Sequence, residues 1–225
     1  MIVGITINNI LRDHITQISR AYTEVTGENP IEPINPFKLE ESFPTKEGNE
    51  RITEFKLLTD DQKMEEMAYN ESDESFNVFN MMYNEASFEI FGRATESEPN
   101  IIRNLKLLEK KCKVEFVLIN KESPRSKCAT LFFLSKNAFD FNKIYFPNTE
   151  KEFWDYADVI ITDNPKVLKK KPKNKVSIKV ENQFNVDIKS DYTIINLIDV
   201  KKIKNIIKSI KTSKKTDGTN SNNIE

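Results

Sequence analysis

Histidine is almost absent from this 225-residue chain: His14 stands alone. That excludes His-rich zinc sites and any relay built on several imidazoles. Cysteine is nearly as scarce. Cys112 and Cys128 are too few to hold zinc by themselves, and they read as buried, reduced thiols of a cytosolic protein. Only 5 glycines occur, and none stands in a GxGxxG or P-loop spacing, so no Gly-rich phosphate cradle is expected. No apolar stretch approaches the roughly 18 residues that cross a bilayer. The N-terminus has neither a basic region ahead of an apolar one nor a small-residue cleavage site, which predicts no secretory signal and a cytoplasmic location. Basic residues are not regularly interleaved with aromatics, so a nucleic-acid platform is not expected either.

What is present describes a globular chain. Hydrophobic residues make up 38% and charged residues 31%, enough for one sizeable core carrying a small insertion. The formal net charge is -1, which argues against whole-surface attraction to nucleic acid. The charge is unevenly placed. "EEMAYNESDES" is acidic, whereas segments 166–175 and 201–215 are basic. Such runs read either as solvated faces or as docking surfaces for a protein partner.

Residues 2–7, "IVGITI", are apolar and β-branched, which predicts a strand. From Leu11, apolar residues at Ile15, Ile18, Tyr22 and Val25 fall on one face of a helix that Gly27 is placed to stop. Prolines in "ENPIEPINPFKLEESFP" forbid a regular helix and predict an extended connection, and residues 50–95 carry weaker helical patterns rich in aromatics and methionine. Beyond them, strands and helices alternate: "NIIRNLKLLEKK", "KVEFVLIN", "ATLFFLSKNAF", "KIYFP", "EKEFWDYA", "DVIITD", "NPKVLKKKP" and "KVSIKV", with "VKKIKNIIKSI" as a terminal helix. Apolar strands alternating with helices predict an α/β protein, a doubly wound and mainly parallel sheet covered on both faces. The boundaries expected are a first strand–helix unit at 1–27, a connection and helical cap at 28–98, the rest of the core at 99–210 and a disordered tail at 211–225. In such folds ligands bind beyond the carboxyl ends of the strands, so the polar residues closing each strand are the candidates.

Those residues are Thr6 and Asn8, then Asn120, then Thr162, Asp163 and Asn164, with Lys136 between the last two groups. The order of "GITINNILRD", "FVLIN", "ATLFFLSK" and "WDYADVIITDNP" resembles the haloacid dehalogenase (HAD) superfamily, and within it the 5'(3')-deoxyribonucleotidase-like branch with a small helical cap. "YNEASFEIFGRA" and "KPKNKVSIKVENQFN" are similar to segments of phage-encoded members. The resemblance spans roughly residues 1–200 and implies a Rossmannoid core with an inserted cap. It also implies a first motif near DxDGxxxD, whose first aspartate attacks phosphorus and whose second acts as general acid and base. A Ser or Thr after the second strand, a lysine, and paired aspartates holding Mg²⁺ complete the set.

Matched to those motifs, this chain departs at nearly every position. The nucleophile position is Thr6, the acid/base position Asn8, the glycine position Asn9, the phosphate-binding hydroxyl position Asn120 and the metal pair Thr162 and Asp163. Lys136 keeps the lysine's place in the order, or else caps a helix end. Asp163 is either the one remaining metal carboxylate or a turn residue opening "DNP". No catalytic residue and no cofactor are therefore expected. The chain reads as a noncatalytic HAD-like binding, regulatory or assembly module, a viral structural or accessory protein among the options, with protein partners and no membrane. The alternative is a nucleotidase-like phosphatase or nucleotide binder with an altered site. It would hold phosphate with Asn120, Lys136 and backbone N–H groups at residues 8–11, and Mg²⁺ at Asp163.

Overall fold

The computed structural model describes residues 1–43, 86–139 and 141–219. Six strands form one parallel sheet: β1 Ile2–Thr6, β4 Glu115–Ile119, β5 Ile144–Tyr145, β6 Val159–Thr162, β7 Val176–Val180 and β8 Tyr192–Ile194. Their spatial order is β5-β4-β1-β6-β7-β8. β1 is central, and the order reverses on either side of it, which creates a crevice beyond its carboxyl end. A second, antiparallel pair joins β2 (Arg12–Asp13) to β3 (Thr95–Glu96). It ties residues 12–13 to residues 95–96, which are far apart in sequence.

The helices are α1 His14–Thr26, α2 Leu39–Ser42, α3 Ile101–Cys112, α4 Pro124–Lys136, α5 Pro165–Lys169 and α6 Val200–Thr219. Local chemistry sets their ends. Asp13 caps α1 by accepting from the Thr16 amide at 3.2 Å, and Gly27 closes it at φ 70 in the left-handed region. Ser123 and Asn164 cap α4 and α5, each followed by proline at the first helical turn, where a missing N–H costs nothing. A π-helical turn, Phe88–Gly92, packs against α1 and α4.

The parallel strands are apolar on both faces because both are covered. On one face Val3, Ile5, Phe116, Leu118 and Ile161 meet Leu105, Leu108, Ile203, Ile207 and Ile210 of α3 and α6. On the other, Val117, Ile119 and Ile160 meet Phe153, Trp154 and Val167. The Trp154 indole N–H donates to the Val167 carbonyl at 3.0 Å, so the largest buried side chain is also satisfied. Gly4 lets β1 approach its neighbours: a Cβ there would stand 2.6 Å from Ile119 Cδ1 and 3.0 Å from Ala157 Cβ.

The doubly wound α/β architecture is as the strand pattern predicts. Several details differ. β8 has no counterpart in the sequence reading, because "DYTIINLI" mixes polar and apolar residues without alternation. The first helix begins at His14 instead of Leu11, because Arg12 and Asp13 are held in β2. The terminal helix runs to Thr219, past the expected boundary at 210. Cys112 is buried but Cys128 is exposed, which corrects the expectation of two buried thiols. Most of the expected cap (44–85) and residues 220–225 lie outside the described residues. Among the described residues no helix is long and apolar enough to cross a membrane.

Candidate functional site

The crevice is built from the ends of β1, β4 and β6. Strand pairing puts Thr6 beside Ile119 and Ile5 beside Ile161, so the next residues along, Asn8, Asn120 and Thr162–Asp163, converge. The Thr6 hydroxyl donates to Thr162 Oγ1 at 3.1 Å, and both threonines are buried. The Asn120 side-chain carbonyl accepts from the backbone N–H of Ile7 at 3.2 Å and of Asn8 at 3.3 Å. The tight loop after β1 is closed by its own backbone: Asn9 N–H donates to the Arg12 carbonyl, and the Leu11 and Arg12 amides donate to the Ile7 carbonyl. Asn9 sits at φ 63, in the left-handed region that asparagine tolerates better than most residues.

Behind this loop lies a charge pair that the sequence reading missed. Arg12 is fully buried and donates to Glu122 Oε1 at 2.7 Å, with both side chains removed from water. The same oxygen accepts from Asn120 Nδ2 at 2.6 Å and from Thr130 Oγ1 at 2.6 Å. Arg12 also donates to Asn8 Oδ1, and its guanidinium lies 4.7 Å from the Phe91 ring centroid and 5.5 Å from that of Phe133. Glu122 Oε2 meets no hydrogen-bond donor among the described residues. The aromatic neighbours of Arg12 are far off in sequence, so only the fold reveals its burial. His14 stacks on Phe91 with ring centroids 5.8 Å apart, and burial with Arg12 nearby pulls its pKa down to about 3.

Asp163 is buried at the end of β6. Desolvation pushes its pKa up to about 7, opposed by a hydrogen bond from the Asn9 side chain. The Asn182 amide stands 3.5 Å from Oδ2. The helix-opening role belongs to Asn164, whose Oδ1 accepts from the Lys166 and Val167 amides. Asp163 is therefore not a simple turn residue. Lys136 lies at the far end of α4, where its ammonium donates to the carbonyls of Gly92, Arg93 and Ala94 at 3.3, 3.2 and 2.9 Å. All three donors are used there, so in this structure Lys136 caps backbone carbonyls.

The side chains do not fit Mg²⁺ well. Of the carboxylates near the β4 and β6 ends, Asp163 holds its proton up to about pH 7 and Glu122 is paired with Arg12, while Asn8 Oδ1 is also taken by Arg12. No group of three or more His, Cys, Asp or Glu stands in metal-binding reach among the described residues. Among the described residues the Thr6 hydroxyl is hydrogen-bonded to another hydroxyl and not to a base.

No family model matches the chain, and no curated protein matches it. Solved structures do. A haloacid dehalogenase-like hydrolase of Streptococcus pneumoniae superposes at TM-score 0.52 and 14% identity, over 88% of this chain and 95% of that one. The chain has the fold of the haloacid dehalogenase superfamily. CbbY of Rhodobacter sphaeroides, solved with phosphate, superposes at TM-score 0.52 and 12% identity, over 88% and 95%. YfnB of Bacillus subtilis, solved with magnesium, gives TM-score 0.52 and 12% identity over 91% and 98%. At such identities the HAD-like likeness is one of fold, and the site residues of this chain decide its chemistry.

Proposed function

We propose that this HAD-like chain is a binding, regulatory or assembly module that does not transfer phosphoryl groups through an aspartate. One observation carries the reading: Asn120 Oδ1 occupies the N–H groups of Ile7 and Asn8, the kind of backbone donors an anion would need. Of the N–H groups at residues 8–11 considered for phosphate, those of Asn8, Asn9 and Leu11 are already bonded within the protein. Descent from the deoxyribonucleotidase-like branch and a viral accessory role belong to the same proposal and rest on the segments quoted above.

A second reading is a phosphatase or nucleotide binder with an altered site. The comparisons lean towards it more than towards the first, since the relatives are described as a hydrolase or were solved with phosphate or magnesium. In this chain its support is Asp163, a carboxylate buried beside the hydroxyls of the β1 and β6 ends. Mg²⁺ belongs to this reading alone.

Turnover of deoxynucleoside monophosphates with Mg²⁺ separates them. The natural protein is compared with a variant carrying Thr6→Asp, Asn8→Asp, Thr162→Asp and Asn120→Ser. The fourth change is required because Asn120 otherwise keeps the loop amides. A silent natural protein, with no stabilisation by mononucleotide, supports the binding module. A ligand at about 100 times its dissociation constant would add about 2.7 kcal/mol. Turnover by the natural protein overturns the first reading in favour of the second, and turnover gained only by the variant identifies the scaffold as a former phosphatase.

A further inference from the structure

A net charge of -1 conceals a strongly polarised molecule. Segment 200–213 of α6 carries five lysines and no carboxylate, and α3 carries four cations to one carboxylate. The fold packs these two distant segments side by side on one face of the sheet. Their apolar residues, among them Leu105, Leu108, Ile203 and Ile207, are spent on the core, so the cations are turned outwards. Lys110, Lys111, Lys201, Lys202 and Lys208 are exposed and Lys204 is half-buried. None of these six is in an ion pair among the described residues.

The helices are locked together at one end. Lys211 donates to the Cys112 and Lys113 carbonyls at 2.6 and 2.8 Å. Burial pushes the Cys112 thiol up, and Lys211, Lys204 and Lys208 oppose that shift, which places α6's cations around the end of α3. At about 1.5 Å rise per residue, Lys201 to Lys208 covers about 10 Å, and packed helix axes lie about 8–10 Å apart. Such a patch meets several phosphates of a duplex, which carries a charge about every 1.7 Å of its axis.

We propose that the paired outer faces of α3 and α6 dock the phosphodiester backbone of a double-stranded nucleic acid without reading its sequence. Charge complementarity names the partner's sign, and the rest of the surface narrows its class. A membrane-bound helix needs a free apolar face, and that of α6 is buried. A protein partner needs buried apolar or aromatic anchors, and among the described residues of the two helices Leu107 is the one large apolar side chain exposed. Stacking on single-stranded bases needs exposed aromatics, and the described residues of these helices present none. Whole-chain charge and segment composition did not suggest this partner, because the patch exists only once the two helices are adjacent.

The test is fluorescence anisotropy of a labelled duplex of about 20 base pairs with the full chain. The expected result is binding that weakens about 100-fold from about 50 to 200 mM salt, as about four phosphate contacts require. The variant Lys110→Glu, Lys202→Glu, Lys208→Glu should lose at least about tenfold of the low-salt affinity, with an unchanged melting profile. The matched variant Lys169→Glu, Lys170→Glu, Lys173→Glu, in the other basic segment, should stay within about threefold. The proposal is overturned if the duplex does not bind at low salt or if both variants weaken it alike. Tighter binding to polyglutamate or to phosphatidylserine vesicles at equal ionic strength also overturns it.

Discussion

Arg12 and Glu122 are both removed from water, and burial of that kind is stable only while each charge keeps the other. Glu122→Ala should therefore destabilise the fold by about 3 kcal/mol or more in urea unfolding, because Arg12 is left charged in an aromatic pocket. Replacing both together, as Arg12→Met with Glu122→Leu, should cost much less than the two single changes combined, a coupling that a double-mutant cycle measures directly. Two further buried groups oppose one another in pH. His14 falls from 6.5 to about 3 on folding, so its contribution is complete above pH 6.5 and is lost as pH falls towards 3. Asp163 rises from 3.8 to about 7, so its contribution is complete below pH 3.8 and is lost as pH rises towards 7. Between about pH 4 and 6.5 the slopes offset. Asp163→Asn should leave stability rising with pH by up to about 1.4 kcal/mol per unit in that window, and His14→Gln should leave it falling, as urea titrations at several pH values will show.

At the scale of elements, the π-helical turn depends on a lysine from another helix. Lys136 satisfies three carbonyls at its end, and one of its donors reaches Ala94 just ahead of β3. Lys136→Met should lower stability by about 1–3 kcal/mol, since three acceptors lose a charged donor. If Lys136 served phosphate instead, the variant would keep its stability and lose ligand response. β1 makes a second demand. Gly4→Ala would drive a Cβ into Ile119 and Ala157 from the neighbouring elements, and destabilisation of about 1–3 kcal/mol is expected from chemical unfolding.

For the whole molecule, the central position of β1 should make its amides the slowest to exchange with solvent. β1 is hydrogen-bonded to β4 and β6 and covered on both faces, whereas β8 is an edge strand with exposed Thr193 and Ile195 around it. Hydrogen exchange should order the strands as β1 slowest and β8 among the fastest. Equal protection of β1 and β8 would mean that the sheet opens only as a unit. The polarity of the whole surface belongs to this scale as well. The five lysines of segment 200–213 and the four cations of α3 become one field only because both helices pack on the same sheet face.

Periodicity alone determined much of this protein. Apolar runs such as "EFVLI" and "VIIT", separated by amphipathic helices, can bury both faces only in a covered parallel sheet, so the fold class and the strand-end location of the site were legible. The absence of aspartate at Thr6 and Asn8 was legible too, since residue identity needs no coordinates. What the side chains do with that absence was not. Asn120 reaches the amides of Ile7 and Asn8, Arg12 finds Glu122, and Lys136 turns away to cap a π-helical turn. Each of these contacts joins residues dozens to more than a hundred positions apart, and their energies depend on burial that no local pattern encodes. The tertiary structure decided them because distance and exclusion of water, not residue type, set the strength of a polar contact.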